Sequence, residues 1–255
     1  MNATARVAGA LAVRNLRNIR RIPAAFFPAL LMPIFQMIAF SGTFYAVTRI
    51  PGFPTDRSIN WFLPLGVCMG SAFSGIGIGF SAIRDIETGF YDRLRMTPSP
   101  RAALLLGPLI SAWVRTLIVI ATVVAIGLMA GARPASGVWA IIPLLIAGLA
   151  LSTVGVGWAL GLAFRFRDMR GAAIMQLSVF VTLFLTSAQT PLDVMQGWLR
   201  QVARLNPFTY VLDLSRQGFL EGLAWDTTLA GVAAATPVAA ATLTFAWRGL
   251  AHLDR

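Results

Sequence analysis

The chain consists of long uncharged hydrophobic stretches separated by short segments that contain most of its arginines. Five stretches hold no aspartate, glutamate, lysine or arginine: residues 24–48, 58–83, 134–164, 171–192 and 227–247. A sixth, 102–132, is interrupted only by Arg115. Each is at least as long as the ~20 residues that a helix needs to cross a bilayer, and none alternates as a membrane strand does. The pattern predicts an all-α integral membrane protein with six transmembrane helices.

Composition agrees with this class. Of 255 residues, 57% are hydrophobic and only 12% are charged, whereas a soluble domain carries about 25% charged residues. The net charge is +11, and all 21 basic residues are arginines. Because these arginines are scattered between hydrophobic stretches, they favour a role in membrane topology over binding to nucleic acid.

The arginines are distributed unevenly between the two sides of the predicted bundle. We place the spans at about 25–48, 60–83, 104–130, 138–163, 171–189 and 226–247. Fourteen arginines then fall on the side of both termini and six on the other side. The positive-inside rule therefore predicts that both termini and the loop 84–101 are cytoplasmic.

Residues 3–22 have the pattern of a basic amphipathic helix. Their arginines share one face and small or aliphatic residues share the other: Arg6, Arg14, Arg17, Arg20 and Arg21 against Ala8, Leu11, Ala12, Leu16, Ile19 and Ile22. Such a helix lies in the membrane interface with its arginines on lipid phosphates. It is either a simple positive-inside anchor or a structured helix that also contacts a partner.

Small residues recur at four-residue spacing within the predicted spans. Gly66 and Gly70, Gly75 and Gly79, and Gly157 and Gly161 follow this pattern. It allows helices to approach closely in lipid and predicts tight packing of the second and fourth spans.

The sequence lacks the residues that several kinds of catalytic and ion-binding site require. Without lysine the chain has no Walker A loop, and with His252 as its one histidine it has neither a Ser–His pair nor a zinc motif. We therefore predict no catalytic residue, no metal site and no cofactor. The one aspartate or glutamate in a predicted span is Asp226 at the first position of the sixth, and the interiors of the spans hold none, which disfavours an ion-coupled secondary transporter.

Two segments outside the spans have an organised pattern. In the loop 84–101, Ile86, Phe90 and Leu94 form an apolar ridge on a short helix that ends before Pro98. The ridge fits a cleft of a soluble partner, although a plain polar loop is the simpler alternative. Residues 190–222 predict two short amphipathic helices, the second opened by Pro207 and capped by Asn206.

These segments carry a resemblance to a known family. The run Glu87-Thr88-Gly89, Asp92-Arg93-Leu94-Arg95-Met96 and Pro98-Ser99-Pro100-Arg101 resembles the loop after the second span of ABC-2 type permeases, especially their drug-resistance (daunorubicin-type) branch. The segment 190–222 resembles a second signature of the family, at Pro191, Trp198, Asn206, Pro207, Tyr210 and Arg216. Gly197 departs from it, because the family usually has proline before the tryptophan.

The resemblance implies roles for these residues. The loop would be the coupling helix that contacts an ATPase subunit, through Ile86, Glu87, Gly89, Phe90, Asp92, Arg93 and Leu94. The signature residues in 190–222 would form an extracellular gate. A substrate path would be lined by Phe40, Phe44, Met69, Phe73, Phe80, Phe180 and Phe184. Arg115, a charge within the third span, would serve a structural pairing role.

The resemblance also implies an assembly. The chain, a single domain over 1–255, would be the permease subunit of an ATP-binding-cassette exporter in a bacterial plasma membrane. It would move a hydrophobic or amphiphilic drug or lipid, using ATP and Mg²⁺ held by a separate ATPase. A second permease subunit, identical or related, and membrane lipids complete the partners. A non-transporting membrane scaffold is the alternative from another class, and secondary transport is the third.

Overall fold

The computed structural model describes residues 3–21, 27–46, 48, 53–96, 100–220 and 222–253. Residue 22 of the predicted N-terminal helix, residues 97–99 of the loop 84–101 and residue 221 of the predicted hairpin lie outside this description. Over the described residues the chain is helical and contains no strand, so the all-α prediction is confirmed for that part.

The helices follow the predicted order. They are α1 (Ala3–Arg21), α2 (Phe27–Thr43), α3 (Ser58–Glu87), α4 (Phe90–Arg95), α5 (Arg101–Met129), α6 (Ile141–Phe166, preceded by a 3-10 turn at Gly137–Ala140), α7 (Arg170–Phe184), α8 (Gly197–Leu205), α9 (Pro207–Leu220) and α10 (Trp225–Leu253). Helix α9 begins at Pro207 and ends at Leu220, as the sequence predicts.

Within the described residues, four segments are long and apolar enough to cross a bilayer: Ser58–Glu87, Arg101–Met129, Gly137–Phe166 and Trp225–Ala251. They correspond to the second, third, fourth and sixth predicted spans. The described part of the first predicted span is α2, with 17 residues, and the fifth corresponds to α7, with 15, against the ~20 that a perpendicular span needs.

Helix α3 forms the centre of the bundle. Every residue from Ser58 to Ile76 is buried, and the helix packs against α2, α5, α6, α7 and α9. Small residues permit this: a Cβ added at Gly75 would lie 2.5 Å from the carbonyl oxygen of Ser152 on α6. The predicted close packing of the second and fourth spans is therefore confirmed at Gly75.

Helix α10 crosses α6 at a second pair of glycines. A Cβ at Gly157 would lie 2.6 Å from the carbonyl carbon of Thr242, and one at Gly161 would collide with the Phe245 ring. Helix α6 thus uses the absence of these two side chains to bring α10 close.

Helix α1 packs against the bundle along α5. Ala8 and Ala12 are buried, and a Cβ at Gly107 of α5 would lie 3.0 Å from the Ala8 carbonyl oxygen. The small residues on the predicted apolar face of α1 therefore contact protein, and α1 is a structured helix joined to the rest of the chain.

Candidate functional sites

The loop 84–101 contains two helical pieces instead of one continuous stub. Helix α3 runs on to Glu87, Thr88 and Gly89 form a turn, and α4 begins at Phe90. Gly89 has φ = 68°, a left-handed conformation that glycine adopts without steric cost, and its N–H donates to the Ile86 carbonyl at 3.0 Å. The expectation of a single helix through Ile86, Phe90 and Leu94 is wrong, because Gly89 terminates α3.

The three ridge residues face the chain's own bundle. Ile86, Phe90 and Leu94 are half-buried and pack against the hydrophobic core. Glu87, Asp92 and Arg93 are exposed, as is Met96, whose side chain is 88% exposed. The surface that this region offers to a partner is therefore charged, with one prominent apolar side chain.

Arg14 joins α1 to this region. Its two terminal nitrogens donate to the two carboxylate oxygens of Asp85 at 2.7 and 2.6 Å, and its guanidinium carbon lies 3.8 Å from the centre of the Phe90 ring. The hydrogen bond to Asp85 raises the pKa of Arg14. The bidentate pair and the ring contact fix α1, the end of α3 and α4 relative to one another.

Tyr91 holds α4 from the other side. Its ring lies 5.6 Å from that of Phe164 on α6, nearly perpendicular to it, and the side chain is buried. Burial raises the pKa of the Tyr91 phenol. Sequence reasoning missed Arg14, Asp85 and Tyr91 as parts of this site, because their pairing depends on contacts between distant segments.

Arg115 is buried where α1, α3 and α5 meet. One terminal nitrogen donates to the backbone oxygen of Asn15 at 2.9 Å, and the other lies 3.5 Å from the position that a Cβ on Gly77 would take. The Arg115 Nε has no hydrogen-bond partner. Arg115 therefore pairs with a backbone carbonyl of α1.

At the opposite end of the bundle, Asn206 links the two short helices to α7. Its side-chain amide donates to the carbonyls of Thr182 (2.7 Å) and Leu185 (3.0 Å), and its side-chain oxygen accepts the N–H of Phe208 at 3.0 Å. The predicted cap at Asn206 is present, and the same side chain also anchors the start of α9.

Arg216 of α9 lies in the interior. It is 1% exposed and donates to the backbone oxygens of Trp61 (3.3 Å), Ser187 (2.7 Å) and Ala188 (2.6 Å). Its guanidinium carbon is 3.7 Å from the centre of the Trp61 ring, whose N–H donates to Ala188 as well. Arg216 therefore connects α9, the segment after α7 and the start of α3.

Asn60 extends this connection to the α5–α6 loop. Its side chain donates to the Arg133 and Phe219 carbonyls at 2.9 and 3.3 Å and accepts the N–H of Arg133 at 2.9 Å. Sequence reasoning also missed Asn60 and Trp61. Their one signal was a polar residue next to tryptophan at the start of an uncharged span.

The other predicted gate residues are more peripheral. The hydroxyl of Tyr210 donates to the Arg204 carbonyl at 3.0 Å, and the Pro191 carbonyl accepts the N–H groups of Val194 and Met195. Trp198 is 69% exposed, and α8 packs mainly on α9. Of the predicted gate residues, Asn206 and Arg216 both donate to backbone carbonyls between Thr182 and Ala188, whereas Trp198 lies on the surface.

The predicted path residues separate into two aromatic groups. Phe40 and Phe44 surround Phe62 with ring centres 5.5–5.8 Å apart. Phe73 contacts Phe180 at 4.9 Å, and Phe184 follows at 6.2 Å from Phe180. Met69 is enclosed in the core, and Phe80 is half-buried against it.

A shallow groove between α2 and α7 collects three of these aromatics. Phe40, Phe180 and Phe184 line it together with Phe35 and Gln36. The side-chain oxygen of Gln36 is buried and has no hydrogen-bond partner. Sequence reasoning did not single out Gln36, which is the polar residue of an otherwise apolar groove.

The described part of the chain contains no cluster of three His, Cys, Asp or Glu side chains that could hold a metal ion. Its features are those of a multi-pass membrane protein: apolar helices of spanning length, a charged surface formed with α4 at one end, and a hydrogen-bonded gate-like region at the other.

Comparison with known proteins assigns the chain more closely. The ABC-2 type transporter family model matches residues 6–220. A Pyropia yezoensis protein named as a transport permease, ycf38, is 30% identical over 81% of this chain and 72% of its own length. The daunorubicin resistance ABC transporter permease protein DrrB1 of Streptomyces coeruleorubidus is 25% identical over 85% of this chain and 76% of its own length. The chain belongs to the ABC-2 type transporter family, whose membrane domains are transport permeases and not ATPases.

Proposed function

We propose that this chain is the permease subunit of an ATP-driven exporter that moves a hydrophobic or amphiphilic molecule, drug or lipid, out of the cytoplasm or the inner leaflet. The family match over residues 6–220 carries the proposal, and the relative named for daunorubicin resistance suggests the substrate class. A separate ATPase supplies the energy, and a second permease subunit completes the pathway in a bacterial plasma membrane.

The α4 end is the surface proposed for contact with the ATPase. Because Ile86, Phe90 and Leu94 pack against the chain itself, the ATPase contacts the exposed side formed by Glu87, Asp92, Arg93 and Met96. The apolar ridge of Ile86, Phe90 and Leu94, which packs against the bundle, then transmits motion of α4 into it. Arg14 transmits the same motion to α1 through Asp85 and Phe90.

The α2/α7 groove is the proposed path for the substrate. Its aromatic lining suits a flat or aliphatic molecule. The α8–α9 region closes the outer end, held by Asn206 and Arg216.

Co-purification with the ATPase encoded beside this chain tests the contact surface. We expect Arg93→Glu combined with Met96→Asp to lose the ATPase without loss of membrane insertion, because both side chains are exposed and bury nothing within the chain. Arg200→Glu, which reverses an exposed arginine on α8, is the matched control and should keep the ATPase. Undiminished recovery of the ATPase with the double variant would contradict the proposed surface.

Transport itself is tested in vesicles that contain the chain and its ATPase, with daunorubicin as the probe. ATP-dependent accumulation in inside-out vesicles is expected, and it should vanish when the ATPase is made inactive. A complex that binds ATPase but never transports would support the scaffold alternative. Export driven by a proton gradient in vesicles lacking the ATPase would support secondary transport.

A further inference from the structure

A second cavity lies on the other side of α7 from the α2/α7 groove. It has a volume of about 210 Å³ and is enclosed by α3, α6, α7, α9 and α10. Val154 and Trp158 of α6, Val179 of α7, Val238 of α10 and Phe208 of α9 form its walls. None of these residues belongs to the proposed path or to the contact with the ATPase.

The polar groups in the cavity wall are already hydrogen-bonded within the protein. The Trp158 indole N–H donates to the Ser178 hydroxyl at 2.8 Å, and the hydroxyls of Thr182 and Thr242 donate to backbone carbonyls of their own helices. No N–H or O–H group of the wall is left to bind a polar ligand. Apolar cavities of ~150 Å³ stay dry and bind hydrocarbons of the size of benzene, so this larger one fits a hydrocarbon.

The cavity opens toward the bilayer. Helices α7 and α10 each pack against α6 and α9 but hardly against each other, which leaves a gap between them. Val154 and Val238 lie near the midpoints of α6 and α10, so the gap opens at the depth of the hydrocarbon core. The hydrocarbon present at that depth is the lipid acyl chain.

We propose that this cavity binds one acyl chain of a membrane lipid, which enters between α7 and α10. The end of the lipid acyl chain contacts Phe208, which lies in the first turn of α9 beside Asn206. A bound lipid therefore completes the wall that supports α9. The inference does not depend on the proposed substrate or on the ATPase.

Photolabelling of the full chain in lipid nanodiscs tests this site. The probe is phosphatidylethanolamine with a diazirine on one acyl chain. After illumination, label is expected on Val154 and Trp158, although Val154 is only 8% exposed. Val123, fully buried in α5 outside the cavity, should remain unlabelled. Val179→Trp fills the cavity and should reduce labelling of Val154 severalfold.

Val181→Trp is the matched control, because it makes the same substitution on an outward-facing position of α7 and should leave Val154 labelling unchanged. Val238→Trp fills the cavity from α10 and repeats the test if Val179→Trp does not fold. An unlabelled Val154 in the wild-type chain would overturn the proposal. So would Val154 labelling that persists in both filled variants.

Discussion

At the residue scale, Arg216 shows how a charge is accommodated inside this bundle. Its guanidinium donates to three backbone carbonyls and stacks on Trp61, while Asp213, one turn earlier on α9, accepts from Ser187 at 3.4 Å. The carbonyls come from a segment with no regular structure and from the first turn of α3. The planar guanidinium group of Arg216 has several N–H donors and can bind all three carbonyl oxygens at once. A lysine ammonium in its place cannot reach all three.

Arg216→Lys is therefore expected to behave as a severe substitution despite the retained charge. Each hydrogen bond in a membrane protein is worth about 1 kcal/mol, so losing most of three, with the ring contact, should cost about 3 kcal/mol. Thermal unfolding of the purified chain measures this loss. Arg200→Lys, an exposed arginine on α8, is the control, and an equal effect of both substitutions would refute the proposed role of Arg216.

At the element scale, the crossing of α6 and α10 depends on two glycines with different surroundings. The neighbours of Gly157 are backbone atoms of Thr242 and Leu243, and the neighbour of Gly161 is the Phe245 ring, which also stacks on Trp158. A ring can rotate away, whereas a backbone moves only if the whole helix shifts.

Gly157→Ala should thus destabilise the chain more than Gly161→Ala does. Overpacking of a close interface costs typically ~1–3 kcal/mol, and we expect Gly157→Ala at the upper end. Gly42→Ala on α2, where a Cβ would meet nothing within 4 Å, is the control and should be neutral or stabilising. Midpoints of thermal unfolding give the ranking, which would be wrong if Gly161→Ala proved the more harmful.

The helical elements show how far the sequence predicts this fold. Uncharged stretches predict the four long helices because a spanning helix must exclude most charge from the part that lies in the membrane. The four-residue spacing of Ile86, Phe90 and Leu94 predicted that they share one face. Spacing does not indicate what covers that face, and in the structure the chain's own helix bundle covers it. The break at Gly89 had a local signal in the Thr-Gly pair. The Arg14–Asp85 pair had none, since 71 residues separate its members.

The same holds for the candidate sites. The family signature located Asn206 and Arg216, but their partners are backbone carbonyls, which carry no residue-specific signal. Asn60 and Trp61 act only because the bundle brings α3 beside α9. The family signature thus pointed to Asn206 and Arg216 but not to the contacts that they make.

At the scale of the whole molecule, α3 connects the two functional ends. Trp61 near its start contacts Arg216, and Asp85 near its end binds Arg14. The 24 residues between them span about 36 Å at the helical rise, which is close to the thickness of a bilayer. Because α3 is buried over most of this length, we propose that it carries a displacement at α4 to the α8–α9 region as one packed element.

This arrangement requires that the two ends lie on opposite sides of the membrane. The arginine distribution predicts that α4 is cytoplasmic and that α8 lies on the opposite side. Cysteine labelling tests this directly, with Asp92→Cys on α4 and Gln196→Cys before α8, two exposed positions. The native Cys68 is buried and should not react.

In intact cells, a membrane-impermeant maleimide should label Gln196→Cys at once and Asp92→Cys only after the membrane is permeabilised. Pretreatment with an unlabelled impermeant maleimide should block the first variant and spare the second. The unsubstituted chain, treated in the same way, measures any reaction of Cys68. Labelling of both variants before permeabilisation would put α4 and α8 on one side, and α3 could then not connect a cytoplasmic ATPase to an external gate.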